Sequence, residues 1–122
     1  WENFPKRLDG NVKRILDILE TNNQKASFFI LGWVGQNYPE LVKEIHKRGH
    51  DIGTHSFNHQ LVYKQNPDEF EKDLKQSIEV LSDLTGEKII YYRAPGFSIK
   101  KEQVWAFEIL KDNGIEIDCS IK

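Results

Sequence analysis

The sequence contains no methionine and a single cysteine, Cys119. One thiol cannot form a disulfide within the chain, so a disulfide-stapled fold is excluded, and a lone cysteine leaves the cellular compartment open. A chain without methionine also lacks an initiator residue, and this one begins abruptly at Trp1. We therefore expect residues 1–122 to form a single partial domain that is truncated at both ends.

Long apolar runs and an excess of basic charge are also missing. No apolar run approaches the roughly 20 residues that cross a bilayer, so no membrane span is expected. The 17 basic residues are dispersed among 19 acidic ones and the formal net charge is −2. This balance gives no electrostatic footprint for nucleic acid or an anionic membrane. A neutral or small ligand is therefore the expected partner, and the oligomeric state stays undetermined.

What the sequence does contain is an alternation of helix and strand patterns. Apolar residues at helical spacing predict four helices, which begin at Asn11, at Pro39, after a cap at Asn66 and after a cap at Ser98. Apolar runs rich in aromatic and β-branched residues predict strands within 25–34, 50–55, 88–92 and 115–120, and the segment 56–65 is expected to be a loop. Strands separated by such helices must pair in parallel. The predicted fold class is therefore α/β, with parallel strands alternating with helices.

Two loops lie where ligands gather in such folds, at the carboxyl ends of the strands. The first, "THSFNH", carries His55 and His59. Four residues apart on one helical turn, they could bind one divalent ion, with Ser56 fixing that turn by a hydrogen bond. The alternative is two ordinary loop histidines, hydrogen-bonded and partly exposed. His50, at the other end of the same short strand, is expected to be structural.

The second loop, "RAPGFS", begins with Arg93, whose guanidinium could hold a carboxylate or phosphate at the mouth of the sheet. The alternative is a surface arginine at a strand end. Pro95 and Gly96 stiffen and open this loop, so that a backbone amide can approach a ligand, although ordinary turn chemistry also explains both. Asp9 is expected to serve in a turn or cap before the first helix.

Three separated motifs in this order, "KASFFILG", "LVKEIHKRGHDIGTHSFNH" and "YYRAPGFS", resemble the polysaccharide deacetylases of the NodB-homology type, carbohydrate esterase family 4. The resemblance extends from about residue 11 to the end of the chain. The stretch "LVYKQNPDEF" is similar to the subgroup encoded beside exosortase-linked exopolysaccharide genes. The family fold implied is an irregular (β/α) barrel with a metal at its carboxyl end, of which this chain forms part.

The resemblance also implies roles for the site residues. His55 and His59 become ligands of a divalent metal, usually zinc, and Arg93 orients the catalytic carboxylate. Pro95, Gly96 and Phe97 fall at the substrate-binding groove. Gly96 stands where the family has an aromatic residue, and Phe97 follows one place later. The implied reaction is hydrolysis of N-acetyl groups on the amino sugars of a polysaccharide.

Two family features have no counterpart here. The paired aspartates that supply the base and a third metal ligand align with Pro5 and Lys6, and Asp9 is out of register with them. The late histidine of the family, its general acid, would lie beyond Lys122. We therefore expect the intact parent to be active and this fragment alone to be inactive. The alternatives are a non-catalytic glycan-binding relative and a structural metal site with four protein ligands.

Overall fold

The structure is a computed structural model that describes residues 4–97 and 99–120, apart from the side chains of residues 4–7, 9 and 97. Within these ranges it contains five α-helices: α1 (Phe4–Thr21), α2 (Gly32–Asn37), α3 (Pro39–Lys47), α4 (Pro67–Thr85) and α5 (Trp105–Asp112). Its strands are β1 (Ser27–Ile30), β2 (Asp51–Thr54), β3 (Tyr91–Tyr92) and β4 (Ile117–Asp118). Short 3₁₀ turns cover Val62–Lys64, Pro95–Phe97 and Lys101–Gln103. None of the helices in the described ranges is long and apolar enough to cross a membrane.

The strands form one parallel sheet in the order β1-β2-β3-β4. Each strand therefore lies beside the strand that follows it in the chain, as right-handed crossovers through intervening helices produce. The register pairs Ile30 with Thr54, Thr54 with Tyr92 and Tyr92 with Asp118. The predicted α/β class with parallel strands is confirmed, and the register aligns the carboxyl ends of all four strands at one edge.

Helix α4 lies at the centre of the packing, since it contacts α2, α3, α5 and β2. Its start follows the sequence prediction: the Asn66 side chain accepts from Glu69 N at 2.8 Å, and the Glu69 carboxylate accepts from Asn66 N at 3.1 Å. This capping box satisfies two amides that the helix leaves unpaired. Gly86 ends the helix in the left-handed region, with φ +70°. Three buried apolar residues of α4 enter the core, namely Phe70, Leu74 and Leu81.

The strand predicted within 25–34 is shorter than expected, because β1 ends at Ile30 and Gly32 begins helix α2. The reason is tertiary. A Cβ on Gly32 would lie 2.9 Å from Ser77 Cα, and one on Gly35 would lie 3.0 Å from Val80 Cγ1. The two glycines thus let α2 pack closely on α4, a contact that hydrophobic periodicity along the chain does not encode.

The two terminal helices also begin elsewhere than predicted. Helix α1 starts at Phe4, so Asp9 and Gly10 lie inside it and do not form a turn before Asn11; the Asp9 side chain is outside the description. Ser98, the predicted cap of the last helix, lies outside the described residues. There the side-chain oxygen of Gln103 accepts from Lys100 N at 3.1 Å, and α5 follows the 3₁₀ turn.

Candidate active site

The histidine loop, residues 55–59, begins directly after β2 and brings its two imidazoles together. The ring centroids of His55 and His59 are 4.8 Å apart and their planes are inclined at 64°. His55 is half-buried and its backbone amide donates to Ile30 O at 3.1 Å, whereas His59 is exposed. One ring is thus anchored at the end of the sheet while the other faces solvent.

The expected helical turn between the two histidines is absent. Ser56 and His59 both have left-handed backbone conformations, with φ +69° and +59°. Two hydroxyls hold these conformations: Thr54 Oγ1 accepts from Ser56 N at 3.2 Å, and Ser56 Oγ accepts from His59 N at 2.9 Å. The predicted hydrogen-bonding role of Ser56 is confirmed, but it stabilises a strained loop and not a helix. Non-glycine residues in this region are uncommon and often mark functional loops.

Asp73 on α4 accepts hydrogen bonds from the backbone of the histidine loop. Its carboxylate accepts hydrogen bonds from Phe57 N at 2.8 Å and Asn58 N at 3.3 Å. Burial raises the pKa of the Asp73 carboxyl, and the two amide hydrogen bonds oppose this shift. One half-buried carboxylate therefore satisfies two adjacent amides in the middle of the loop.

Helix α2 holds the same loop from the other side. Gly32 N donates to Ser56 O at 2.9 Å and Trp33 N donates to Phe57 O at 3.1 Å. These are amides of the first turn of α2, which have no partner within the helix. The loop carbonyls satisfy them, so α2 and the histidine loop fix each other.

A hydrogen bond between the loops after β2 and β3 orients the His55 ring. Nδ1 of His55 lies 2.7 Å from the carbonyl oxygen of Arg93. A carbonyl only accepts, so Nδ1 carries the proton and donates, and Nε2 of the neutral ring is left with a lone pair. Burial lowers the pKa of His55. The hydrogen bond to the Arg93 carbonyl opposes this shift, and the charges of His59 and Arg93 add to it. At pH 7, above the ordinary pKa of histidine, the neutral ring therefore predominates and presents Nε2 as an electron-pair donor.

The Arg93 side chain packs on β1. Its guanidinium carbon lies 4.4 Å from the centroid of the Phe29 ring, a cation–π contact. Its amide donates to Thr54 O at 3.1 Å and so continues the β2–β3 pairing past the end of β3. Arg93 thus lies at the end of the third strand, with its carbonyl on His55 after the second strand and its guanidinium over Phe29 in the first.

The loop after Arg93 is compact. Ala94 N donates to Ser120 Oγ at 2.7 Å, and Pro95 is buried. Gly96 is exposed with φ +60°, and a Cβ there would lie 3.0 Å from Leu61 Cδ2. The glycine therefore provides both the backbone angle and the space this loop needs. The side chain of Phe97, the third predicted groove residue, lies outside the description.

An apolar pocket of about 280 Å³ opens beside His55, between α1 and β1. Its lining is aliphatic and aromatic apart from that one imidazole. The residues that form it include Leu8, Val12, Phe29, Leu31, Val34 and His55. A small apolar group placed there would meet the histidine at the pocket's polar end.

Within residues 4–97 and 99–120 the structure contains no group of three or more His, Cys, Asp or Glu side chains that could hold a metal ion. In the described part of the chain, therefore, no third His, Cys, Asp or Glu side chain joins the two imidazoles in such a group. This also argues against a structural four-ligand site formed by these residues. The side chains of Pro5, Lys6 and Asp9 lie outside the description.

Sequence reasoning missed two supporting residues of the site, Asp73 and Ser77. Ser77 is buried and its hydroxyl hydrogen-bonds to that of Thr54. A signal was present, because both residues occupy the stripe of α4 that carries Phe70, Leu74 and Leu81. A polar residue inside an apolar stripe is expected to have a buried partner.

Comparisons with known proteins agree with the fold and the motifs. A family model described as polysaccharide deacetylase matches residues 2–117. A peptidoglycan-N-acetylglucosamine deacetylase of Bacillus cereus is 38% identical over 96 residues, which cover 78% of this chain and 35% of that protein. The peptidoglycan-N-acetylmuramic acid deacetylase PdaA of Bacillus subtilis is 28% identical over 96 residues, 79% of this chain and 36% of PdaA. The chain thus spans about a third of the length of these relatives.

Solved structures give the same result. The Bc1960 peptidoglycan N-acetylglucosamine deacetylase superposes with a TM-score of 0.78 at 32% identity, over 88% of this chain and 49% of that one. BA3943 of Bacillus anthracis, described as a CE4 family pseudoenzyme, gives a TM-score of 0.83 at 24% identity, over 90% of this chain and 38% of that one. The second likeness concerns the fold alone. The four parallel strands of this chain accordingly correspond to part of the (β/α) barrel of these proteins.

Proposed function

The chain belongs to the polysaccharide deacetylase family, and we propose that the intact protein hydrolyses N-acetyl groups on the amino sugars of a polysaccharide, with a divalent metal held by His55 and His59. In this reaction water adds to the acetyl carbonyl, the amide C–N bond breaks, and acetate and a free amine result. The observation that carries the proposal is the imidazole pair, in which the Arg93 carbonyl orients the His55 ring.

The two imidazoles support zinc as this metal, since histidine nitrogens are common zinc ligands and both rings would have to lie close together to hold one ion. The observed separation of the His55 and His59 centroids is 4.8 Å. The carbonyl behind His55 Nδ1 is the outer partner that metal-binding histidines usually have. The chemistry supplied by such an ion, when bound, is a lowered pKa of water and polarisation of the acetyl carbonyl.

The other residues of the site bind and orient the substrate in this proposal. The apolar pocket beside His55 accommodates the acetyl methyl group, and the backbone amide near Gly96 donates to the oxyanion that forms as water adds. Arg93 is a positioning residue that orients the carboxylate of the general base. The proposal assigns no residue of this chain as general base or general acid, and we expect the 122 residues alone to be inactive.

The test measures acetate release by the intact protein from an N-acetylglucosamine oligosaccharide. We expect His55→Ala and His59→Ala each to reduce the rate by at least about 10²-fold, because each substitution removes one proposed ligand. His46→Ala is the matched control, since that partly buried histidine lies on α3 beside Glu87, away from the pair. Full activity of the His55 and His59 variants would refute the proposal.

One observation favours a second candidate, a non-catalytic glycan-binding relative. The described residues contribute two imidazoles and no further ligand to the cluster, and a site that lacks its remaining groups would bind without turnover. The same assay distinguishes the two. Saturable binding of the oligosaccharide with no acetate released would favour the binding protein, whereas acetate release that depends on both histidines would favour the deacetylase.

A further inference from the structure

The two loops that form the site differ in charge from the rest of the chain. Residues 55–65 and 93–103 contain four basic residues and one acidic residue, Glu102, a formal charge of +3. Since the whole chain carries −2, the remaining 100 residues carry −5. Within these two segments basic residues outnumber acidic ones, and the acidic Asp68 and Glu69 follow in the first turn of α4.

The fold brings the lysines of the two loops onto one surface. The 3₁₀ turns Val62–Lys64 and Lys101–Gln103 contact each other. Lys64, Lys100 and Lys101 are all exposed, and we call these three residues the basic rim. In the sequence, Lys64 follows His59 by five residues, and Lys100 and Lys101 follow Gly96 by four and five residues.

An exposed aromatic ring belongs to the same surface. Tyr63 is 40% exposed, and Lys100 Nζ lies 4.1 Å from the centroid of its ring. This cation–π contact restricts the long lysine side chain and so holds one positive charge in place beside the site. The exposed part of the Tyr63 ring offers an apolar surface of the kind that packs against the C–H face of a sugar.

We propose that the basic rim and Tyr63 bind an acidic polysaccharide, in which sugars bearing carboxylates adjoin the N-acetylated amino sugar. This specificity rests on the proposed deacetylase function. Carboxylates of sugars are ionised near pH 7, as are those of side chains, and three exposed ammonium groups complement them. The negative charge of the remaining residues disfavours a broad anionic surface such as a membrane or duplex, whereas a single glycan strand can follow the rim alone.

The test compares two polymers with one backbone. The first is an alternating copolymer of N-acetylglucosamine and glucuronic acid, and the second is the same polymer after chemical reduction of its carboxyl groups. Binding and acetate release are measured for the intact protein and for the triple variant Lys64→Gln, Lys100→Gln, Lys101→Gln. The control triple variant is Lys47→Gln, Lys88→Gln, Lys111→Gln, which removes three exposed lysines at the opposite end of the sheet.

We expect the rim variant to bind the acidic polymer about tenfold more weakly, as the loss of several exposed ion pairs implies, with a larger effect at low salt. Its binding of the reduced polymer, and both affinities of the control variant, should be unchanged. Tyr63→Leu should weaken binding of both polymers, because the sugar packing surface is lost.

The outcomes separate the specificity from the reaction. Lysine-dependent binding of the acidic polymer without any acetate release would support the rim and refute the deacetylase. Acetate release with equal affinity for both polymers would refute the rim and leave the deacetylase standing. Lysine-dependent binding to phosphatidylglycerol vesicles, with none to the acidic polymer, would also overturn the proposal.

Discussion

The carbonyl oxygen of Arg93 lies 2.7 Å from Nδ1 of His55, so the end of β3 orients a side chain on the loop after β2. The sequence predicted a role for the guanidinium of Arg93, and the structure shows that the backbone carbonyl of this residue also contacts His55. Because a side-chain substitution leaves the carbonyl in place, the tautomer of His55 should be insensitive to the identity of residue 93. The two contributions of Arg93 can therefore be separated experimentally.

The first prediction concerns this tautomer. In ¹⁵N-detected NMR spectra of the chain, His55 should be the Nδ1–H form at pH 7, and Arg93→Lys should not change that assignment. A predominant Nε2–H form in the wild type would contradict the hydrogen bond to the Arg93 carbonyl. His46 lies beside Glu87, so its NMR signals serve as an internal reference that Arg93→Lys should leave unchanged.

The second prediction concerns zinc affinity. His55→Ala and His59→Ala should each weaken zinc binding to the chain by at least about a hundredfold, since even outer partners of a metal site contribute 10–100-fold. Competition with a chromophoric chelator measures the affinity. His46→Ala should leave it unchanged. Equal affinities in all four proteins would exclude the proposed metal site.

The third prediction concerns the support of the histidine loop by Asp73. Asp73→Ala should destabilise the chain by roughly 1–2 kcal/mol, because the amides of Phe57 and Asn58 lose their acceptor. It should also weaken zinc binding by about tenfold, since the loop between the two imidazoles is released. Urea denaturation and the chelator assay measure the two effects. Asp83→Ala, at an exposed position on the same helix, should change neither.

The fourth prediction contrasts two helical glycines. Gly32→Ala should cost roughly 3 kcal/mol or more, because the new Cβ would lie 2.5 Å from Phe57 Cδ2 and 2.9 Å from Ser77 Cα. Gly10→Ala, in α1, meets nothing within 4 Å and should stabilise the chain by about 1 kcal/mol. Thermal unfolding measures both. A tolerated Gly32→Ala would show that α2 and α4 are not packed as described.

The fifth prediction concerns stability in acid. His50 is 4% exposed, and its Nδ1 accepts from Ala26 N at 3.0 Å, which confirms the structural role expected from the sequence. Accepting at Nδ1 requires a ring without a proton there. Burial lowers the pKa of His50, and the positive charges of Lys25 and Arg48 add to this against Asp51.

The linkage between proton binding and folding sets the direction in which stability changes with pH. The folded pKa of His50 lies below the unfolded value of about 6.5, so below that pH the unfolded chain takes up a proton that the folded chain resists. Stability should therefore fall as the pH drops below about 6.5, by at most about 1.4 kcal/mol per pH unit for this group. His50→Asn retains an acceptor and cannot titrate, so it should reduce the slope. The pKa of His55 is also lowered, so this residue accounts for part of the pH dependence of stability that remains in the His50→Asn variant. An unchanged slope would contradict the assignment.

The order of helices and strands and the start of α4 were predictable because their causes are local. A cap at Asn66 and apolar spacing along α4 act within a few residues, and parallel pairing follows from the length of the crossovers. The starts of α1 and α5 and the short helix α2 were not predictable. The boundary between β1 and α2 depends on the contact of Gly32 with Ser77, which joins residues far apart in the chain.

The sequence alone determined which chemistry the site could contain: two histidines after one strand, an arginine after the next, and the family motifs around them. Only the tertiary structure decided how these groups meet. It replaced the expected helical turn with a left-handed loop held by Asp73 and α2, set the His55 tautomer through the Arg93 carbonyl, and concentrated dispersed lysines into one rim. The physical reason is that hydrogen bonds and charge proximity depend on distance in space, which parallel strand pairing makes short for residues about forty positions apart, such as His55 and Arg93.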